Sequence, residues 1–292
     1  LLVPFSSEVF PIALGYKHQP LFSRLNGALK KPDRIFQNLR SSLNFITMPS
    51  KLNRQKREIM KGTVHYKVQD NIAIMTVDNP PVNPLSSGVR QGLTDGINQA
   101  LADDAVEAVV LTGEGRAFIA GADISEFGGK AEGPSLFDCL NAMDNSSKPI
   151  VAAINGTAFG GGLEVALCCH YRVIANTAPV GLPEVKLGLL PGAGGTQRLP
   201  RLIGAEKALD FILSGDPIPG PQATELGITD EVATGDVVNA AIEFAQKVIQ
   251  AGGKVRRIRD EVSVVEKDRD NQEIFENARK SSARKMRNRF AP

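Results

Sequence analysis

A chain of 292 residues is long enough to bury a full core in one large domain or two modest ones. Hydrophobic content of 42% and charge of 23% fit a water-soluble globular protein, and no apolar run approaches the roughly 18 residues that span a bilayer. The formal net charge of +2 hides an asymmetry: residues 1–60 hold 10 Lys/Arg against 3 acids, the remainder 24 against 29. The mildly acidic body argues against nucleic acid as a partner.

Residues 1–59 are basic, carry Ser and Pro, and show no sustained periodicity. They read as an extension, disordered or translated from upstream of a start at Met60; an organelle-targeting segment is the other reading. From Met60 the pattern sharpens. Gly62 to Tyr66 and Ile72 to Val77 are strand-like, and Asp78 to Pro84 is a loop by its prolines. Ser86 or Ser87 is placed to cap a helix running to about Leu101. Ala108–Thr112, Pro149–Ile154 and Tyr171–Ala175 read as buried strands. A helix is expected from Gly160 to about Leu167, with others over Ala205–Leu213 and Val237–Ile249. Strands alternating with helices define an α/β class. Beyond about Lys254 the chain turns highly charged, as a solvated helix face does.

Cys139, Cys168 and Cys169 are too few for a disulfide framework and lack metal-site spacing. His18, His65 and His170 do not cluster with them. A metal site or a Ser-His-Asp triad therefore has little to build on.

The chemistry concentrates in glycine-rich turns beside glutamates. Gly160-Gly161-Gly162-Leu163-Glu164 opens a helix. Glycines there present unpaired N–H groups at the positive end of the helix dipole, where a developing oxyanion is stabilised. Glu164 lies one turn on, and the Ala120-Gly121-Ala122-Asp123 turn offers a second N–H donor. Glu184 stands twenty residues beyond Glu164, ahead of Pro191-Gly192-Ala193-Gly194-Gly195. Glycine triplets also serve simple helix packing. Against that bland reading, Glu164 sits among Phe159, Leu163, Val165 and Leu167, and Glu184 among Leu182, Val185 and Leu187. Carboxyls in such settings are candidates for tuned acid–base work. The Gly192–Thr196 segment lacks phosphate-loop spacing and reads as a helix-start turn passing close to the site.

Three segments carry a resemblance. Ile154-Asn155-Gly156-Thr157-Ala158-Phe159 through Glu164, Gly115-Arg116-Ala117-Phe118 through Ile124, and Leu182-Pro183-Glu184 through Leu199 occur in the order seen in the enoyl-CoA hydratase/isomerase (crotonase) superfamily. The likeness runs from about Met60 to Ile249. Glu164 through Arg172 is closer still to the hydratase domain of multifunctional fatty-acid oxidation enzymes, since many simple hydratases carry Asp at the position of His170. Arg279 to Pro292 resembles the stretch that joins that domain to a dehydrogenase, so the chain is expected to be a truncated form.

The resemblance implies a crotonase-like spiral of ββα units with a helical C-terminal region. Beyond the 1–59 extension read from composition, it implies a hydratase/isomerase domain over 60–250 and a charged helical tail over 251–292, expected as a truncated linker to a missing dehydrogenase domain. Ala122 and Gly161 match the oxyanion-hole donors, and Glu164 and Glu184 the catalytic carboxyls. Val82, Pro84, Ala120, Asp123, Ile124 and Ser125 fall where members line the acyl-CoA thioester. Pro84 replaces a common Ala, and Ser125 a common CoA-contacting Lys. The implied reaction is hydration of a trans-2-enoyl-CoA without metal or cofactor, CoA being part of the substrate. Δ3,Δ2-enoyl-CoA isomerisation and RNA binding are the alternatives. A homo-oligomer is compatible with the family. The expected compartment is the bacterial cytoplasm, with mitochondrion and peroxisome left open.

Overall fold

The computed structural model describes residues 60–126 and 133–285; the 1–59 extension lies outside the described residues. The main sheet has six strands in the order β1-β2-β3-β5-β7-β10. β1 (Thr63–Gln69) and β2 (Ile72–Asp78) form an antiparallel hairpin. β3 (Ala108–Gly113), β5 (Ile150–Ile154), β7 (Tyr171–Ala175) and β10 (Glu231–Ala233) then add in parallel. β3 and β5 are buried at every residue, as strands covered on both faces must be. Alternate residues serve two cores. Met75, Leu111 and Ala152 face one; Ile74, Val110 and Val151 face the other. α7 (Val237–Gln250) covers the second core with Val237, Ala241, Ile242 and Ala245, one apolar stripe at helical spacing.

A second sheet of four strands runs β4-β6-β8-β9. β4 (Ala117–Ile119), β6 (Thr157–Phe159) and β8 (Pro179–Gly181) are parallel, and β9 (Ile218–Pro219) closes it antiparallel. Each turn of the spiral thus lays one strand in each sheet. Helices complete the first two such turns: α2 (Leu136–Asp144) after β3–β4, α3 (Gly161–Cys168) after β5–β6. This is the spiral of ββα units that the resemblance implied. At the corner between the sheets, a Cβ on Gly156 would stand 2.1 Å from the Arg116 carbonyl oxygen, so only glycine fits. The Asn155 amide ties that corner to the neighbouring one, donating from Nδ2 to the Gly113 and Gly115 carbonyls at 2.9 and 3.0 Å.

The remaining helices frame this body. α1 (Ser87–Ala102) packs on the hairpin. Ser86 is its N-cap residue but makes no capping bond; its hydroxyl donates to the Lys61 carbonyl instead. α4 (Gly195–Ile203), α5 (Ala205–Ser214) and α6 (Gly220–Glu225) follow the second sheet's end. The C-terminal region is helical: α8 (Ser263–Asp268) packs on α4, and α9 (Gln272–Lys285) on α5. Among the described residues no helix is long and apolar enough to cross a membrane. The three cysteines are free and buried.

Candidate active site

The parallel strands β4, β6 and β8 deliver three segments at the same end of the second sheet. β4 leads to the Ala120–Ala122 turn, β6 to Gly160 and Gly161, and β8 to Glu184. All three strands are only three residues long, and the functional segments begin where each stops.

The first turn is held from behind. Leu85 N–H donates to the Gly121 carbonyl at 2.9 Å, and Ala120 N–H to the Val82 carbonyl at 3.1 Å. The Val82–Leu85 segment is itself fixed by Asn83, in left-handed backbone at φ 56°. Its Nδ2 donates to the Glu114 and Ala117 carbonyls at 2.9 and 2.8 Å, and its Oδ1 accepts the Asn79 N–H at 2.9 Å. Asp123 is buried, and its carboxylate accepts from the Ser125 hydroxyl at 2.6 Å and pairs with Lys61 at 3.1 Å. The Ser125 bond leads the effects that hold this carboxyl below its usual range. Ile124, by contrast, is 73% exposed beside the turn. Pro84 and Val82 are half-buried.

α3 begins at Gly161, with Gly160 as its N-cap at φ 52° and ψ −123°. A Cβ on Gly162 would stand 1.9 Å from the Ile119 carbonyl, so glycine lets the helix lie directly on β4. That contact brings the two turns together: an ideal Cβ at Gly161 would be 3.6 Å from Ala122 N. As the first residue of its helix, Gly161 has an N–H without an intrahelical acceptor. The backbones of Ala122 and Gly161 therefore pass close to one another.

All eight residues of α3 are buried, and Glu164, only 2% exposed, is its one carboxyl. Its Oε1 accepts the N–H groups of Ala193 at 2.7 Å and Gly195 at 2.8 Å. Burial pushes this carboxyl above its ordinary range; the Gly195 and Ala193 N–H groups and the Arg198 charge oppose that push. The Pro191–Gly195 turn is thus more than a nearby passage of backbone: it grips the glutamate.

Glu184 lies in a short 3-10 helix, Pro183–Leu187. A Cβ on Gly160 would stand 3.1 Å from Glu184 Oε1, so the carboxyl rests against bare backbone. Its Oε2 is buried without a hydrogen-bond partner among the described residues. Burial raises this carboxyl, its own backbone N–H lowers it, and the charge of Glu164 raises it again. Both carboxyls are raised; two N–H donors stabilise the anion of Glu164, whereas Glu184 has an unbonded oxygen and a like-charged neighbour.

His170 sits outside this group. It is fully buried, its Nδ1 accepts the Ile150 N–H at 2.9 Å, and burial pushes it down to about 4. It is a neutral strand-edge anchor. Among the described residues no cluster of three or more His, Cys, Asp or Glu could hold a metal ion. Sequence reasoning missed the Ala193 and Gly195 donors and the Asp144–Arg198 pair behind them. The available signal was the glycine pair 194–195 followed three residues later by an arginine, ahead of Leu199, Leu202 and Ile203.

A buried carboxyl, Glu164, and a half-buried one, Glu184, thus lie near glycine-rich backbone turns on a spiral of ββα turns, an arrangement suited to proton transfer beside backbone donors. The chain belongs to the enoyl-CoA hydratase/isomerase family, whose sequence profile matches residues 67–284. It is 48% identical over 191 residues to a peroxisomal bifunctional enzyme of Danio rerio, covering 65% of this chain and 27% of that protein. It is 42% identical over 199 residues to a probable enoyl-CoA hydratase of Bacillus subtilis, covering 64% of this chain and 77% of that one. Among solved structures, the enoyl-CoA hydratase of Bacillus anthracis is 30% identical with a TM-score of 0.63, over 75% of this chain and 90% of that one. The chain thus spans about a quarter of the bifunctional relative and most of the single-domain ones.

Proposed function

We propose that this chain adds water to trans-2-enoyl-CoA thioesters, giving 3-hydroxyacyl-CoA, in fatty-acid β-oxidation. The observation that carries the reading is the contrast between the two carboxyls: Glu164 Oε1 accepts two backbone N–H groups, whereas Glu184 Oε2 accepts none. The thioester oxygen sits between the N–H groups of Ala122 and Gly161, which polarise the carbonyl. Ionised Glu164 takes a proton from the water whose oxygen bonds to C3, and the electron pair moves to the thioester oxygen as an enolate. Protonated Glu184 then delivers a proton to C2 on the same face. Hydration is redox-neutral, so the scheme calls for no cofactor; CoA arrives with the substrate.

Val82, Pro84, Ala120 and Ile124 form the rim where the thioester enters. Asp123 and Ser125, bonded to one another, act by holding the turn. The second carboxyl favours hydration over isomerisation, which needs only one group to shuttle a proton. Relatives named as fatty-acid β-oxidation multifunctional proteins, such as that of Cucumis sativus at 45% identity over 191 residues, support the metabolic setting.

The test is turnover of crotonyl-CoA by the full chain and by Glu164→Gln and Glu184→Gln. Each variant is expected to lose about 10²- to 10⁴-fold in kcat, the usual contribution of a positioned acid or base. Full activity in either variant sinks the two-carboxyl scheme. Supplying a 3-enoyl-CoA to the same samples measures isomerisation directly.

A further inference from the structure

Beside the turn that holds Glu164 lies a buried ion pair that the proposed chemistry does not use. Arg198 of α4 is 4% exposed, and its Nη2 donates to Asp144 Oδ2 at 2.8 Å. Asp144, the last residue of α2, is 1% exposed. Arg198 Nη1 reaches the Ala193 carbonyl at 3.4 Å. Ala193 is also the residue whose N–H holds Glu164 Oε1. One residue therefore offers its carbonyl to the arginine and its N–H to the glutamate.

The two glycines that follow make room for both groups. A Cβ on Gly194 would stand 2.0 Å from Arg198 Nη1, and one on Gly195 would stand 3.1 Å from Glu164 Oε1. A buried ion pair adds little stability over apolar residues of the same volume. What apolar residues could not supply is a positive charge in a dry interior, directed at a carboxylate.

We infer that Arg198 is a positioning residue for Glu164, locked by Asp144, which fixes where that carboxylate sits and keeps it anionic. The inference rests on the reading of Glu164 as the base. The Arg198 charge is among the effects that lower the Glu164 carboxyl, and Glu164 in turn helps keep Arg198 charged despite burial. The elements packed on α3 bring few other ionisable groups: Asp144 and Cys139 from α2, and Arg198 and Arg201 from α4. Glu184 faces from the substrate side. Cys168, next along α3, and Cys139 are held as neutral thiols by burial.

The experiment is a carboxyl-carbon NMR titration of the full chain labelled at glutamate, with Glu164→Gln assigning the resonance. In Arg198→Met the Glu164 titration should move to higher pH by about one unit, with Arg198→Lys moving less. With crotonyl-CoA, Arg198→Met should move the acid limb of the pH–rate profile up by about one unit, lower kcat about 10-fold on that limb, and leave KM within about two-fold. A folded Arg198→Met with an unmoved Glu164 titration overturns the inference. If that variant does not fold, Asp144→Asn/Arg198→Met, which leaves no orphaned charge between the pair, takes its place under the same criteria. If the wild-type chain does not hydrate crotonyl-CoA, the proposed function fails, and the titration still decides the role of Arg198.

Discussion

Three glycines in the Pro191–Gly195 turn carry three different geometric demands, and alanine at each should separate them. At Gly195 a Cβ would meet Glu164 Oε1 at 3.1 Å, Pro191 Cβ at 3.1 Å and Leu182 Cδ1 at 3.2 Å. These contacts are tight but not impossible, so the neighbours give way by tenths of an ångström. The Glu164 carboxylate is among them, and its bond to the Gly195 N–H at 2.8 Å weakens. A hydrogen bond to a charged group is worth about 1.5–3 kcal/mol, which bounds the loss at about 10- to 150-fold in kcat. Stability should change little, because alanine suits a helix start better than glycine does. At Gly192 a Cβ would meet only the Leu190 carbonyl, at 3.9 Å, so Gly192→Ala should behave as wild type. At Gly194 the backbone has φ 105° and a Cβ would stand 2.0 Å from Arg198 Nη1; Gly194→Ala should lose both activity and stability. The assay is crotonyl-CoA hydration beside a thermal melt. Full kcat in a folded Gly195→Ala, or equal loss in all three variants, would refute the view that this turn grips Glu164.

The pH–rate profile should be a bell, falling on the acid side as Glu164 takes a proton and on the alkaline side as Glu184 loses one. Both limbs belong to the coupled pair and should lie above the ordinary carboxylate value of about 4.3; an acid limb at that value would contradict the burial of Glu164. Because both folded carboxyls are raised, unfolding releases protons, and each costs stability as pH rises from the unfolded value through the folded one. Glu164→Gln should therefore raise Tm at neutral pH, with the gain vanishing below about pH 4, as melts across pH would record. Gly162→Ala should lower stability by about 3 kcal/mol, since its Cβ would stand 1.9 Å from the Ile119 carbonyl. Denaturant titration of that variant against wild type measures the loss.

The main sheet was legible because its strands are apolar runs: Ala108–Thr112 announces β3, and Tyr171–Ala175 matches β7. The helix expected from Gly160 begins one residue later, at Gly161. The second sheet left no such trace. Three-residue strands such as Thr157–Phe159 are too short to show alternation and are embedded in glycine-rich sequence that reads as turn. Only the resemblance to a ββα spiral implied them. Glu164 and Glu184 stood out as carboxyls in apolar segments, and each lies against a glycine-rich turn, Glu164 at Gly195 and Glu184 at Gly160. The partners of Glu164 could not be read from spacing, because Ala193 and Gly195 are 29 and 31 residues away and offer backbone rather than side chains. Asp144 and Arg198, 54 residues apart, meet only through the packing of α2, α3 and α4.

The distances along the chain also set an order of synthesis. The Asp144 carboxylate leaves the ribosome 54 residues before Arg198 and 115 before Arg259, which contacts it at 3.3 Å. At about 5–20 residues per second, its first partner arrives roughly 3–11 s later. Until then neither arginine that contacts the Asp144 carboxylate in the folded chain is present, and packing α2 onto α3 would leave an unpaired anion or a protonated acid. Closing this seam is therefore favoured once α4 has emerged, which ties completion of the surroundings of Glu164 to the synthesis of Arg198.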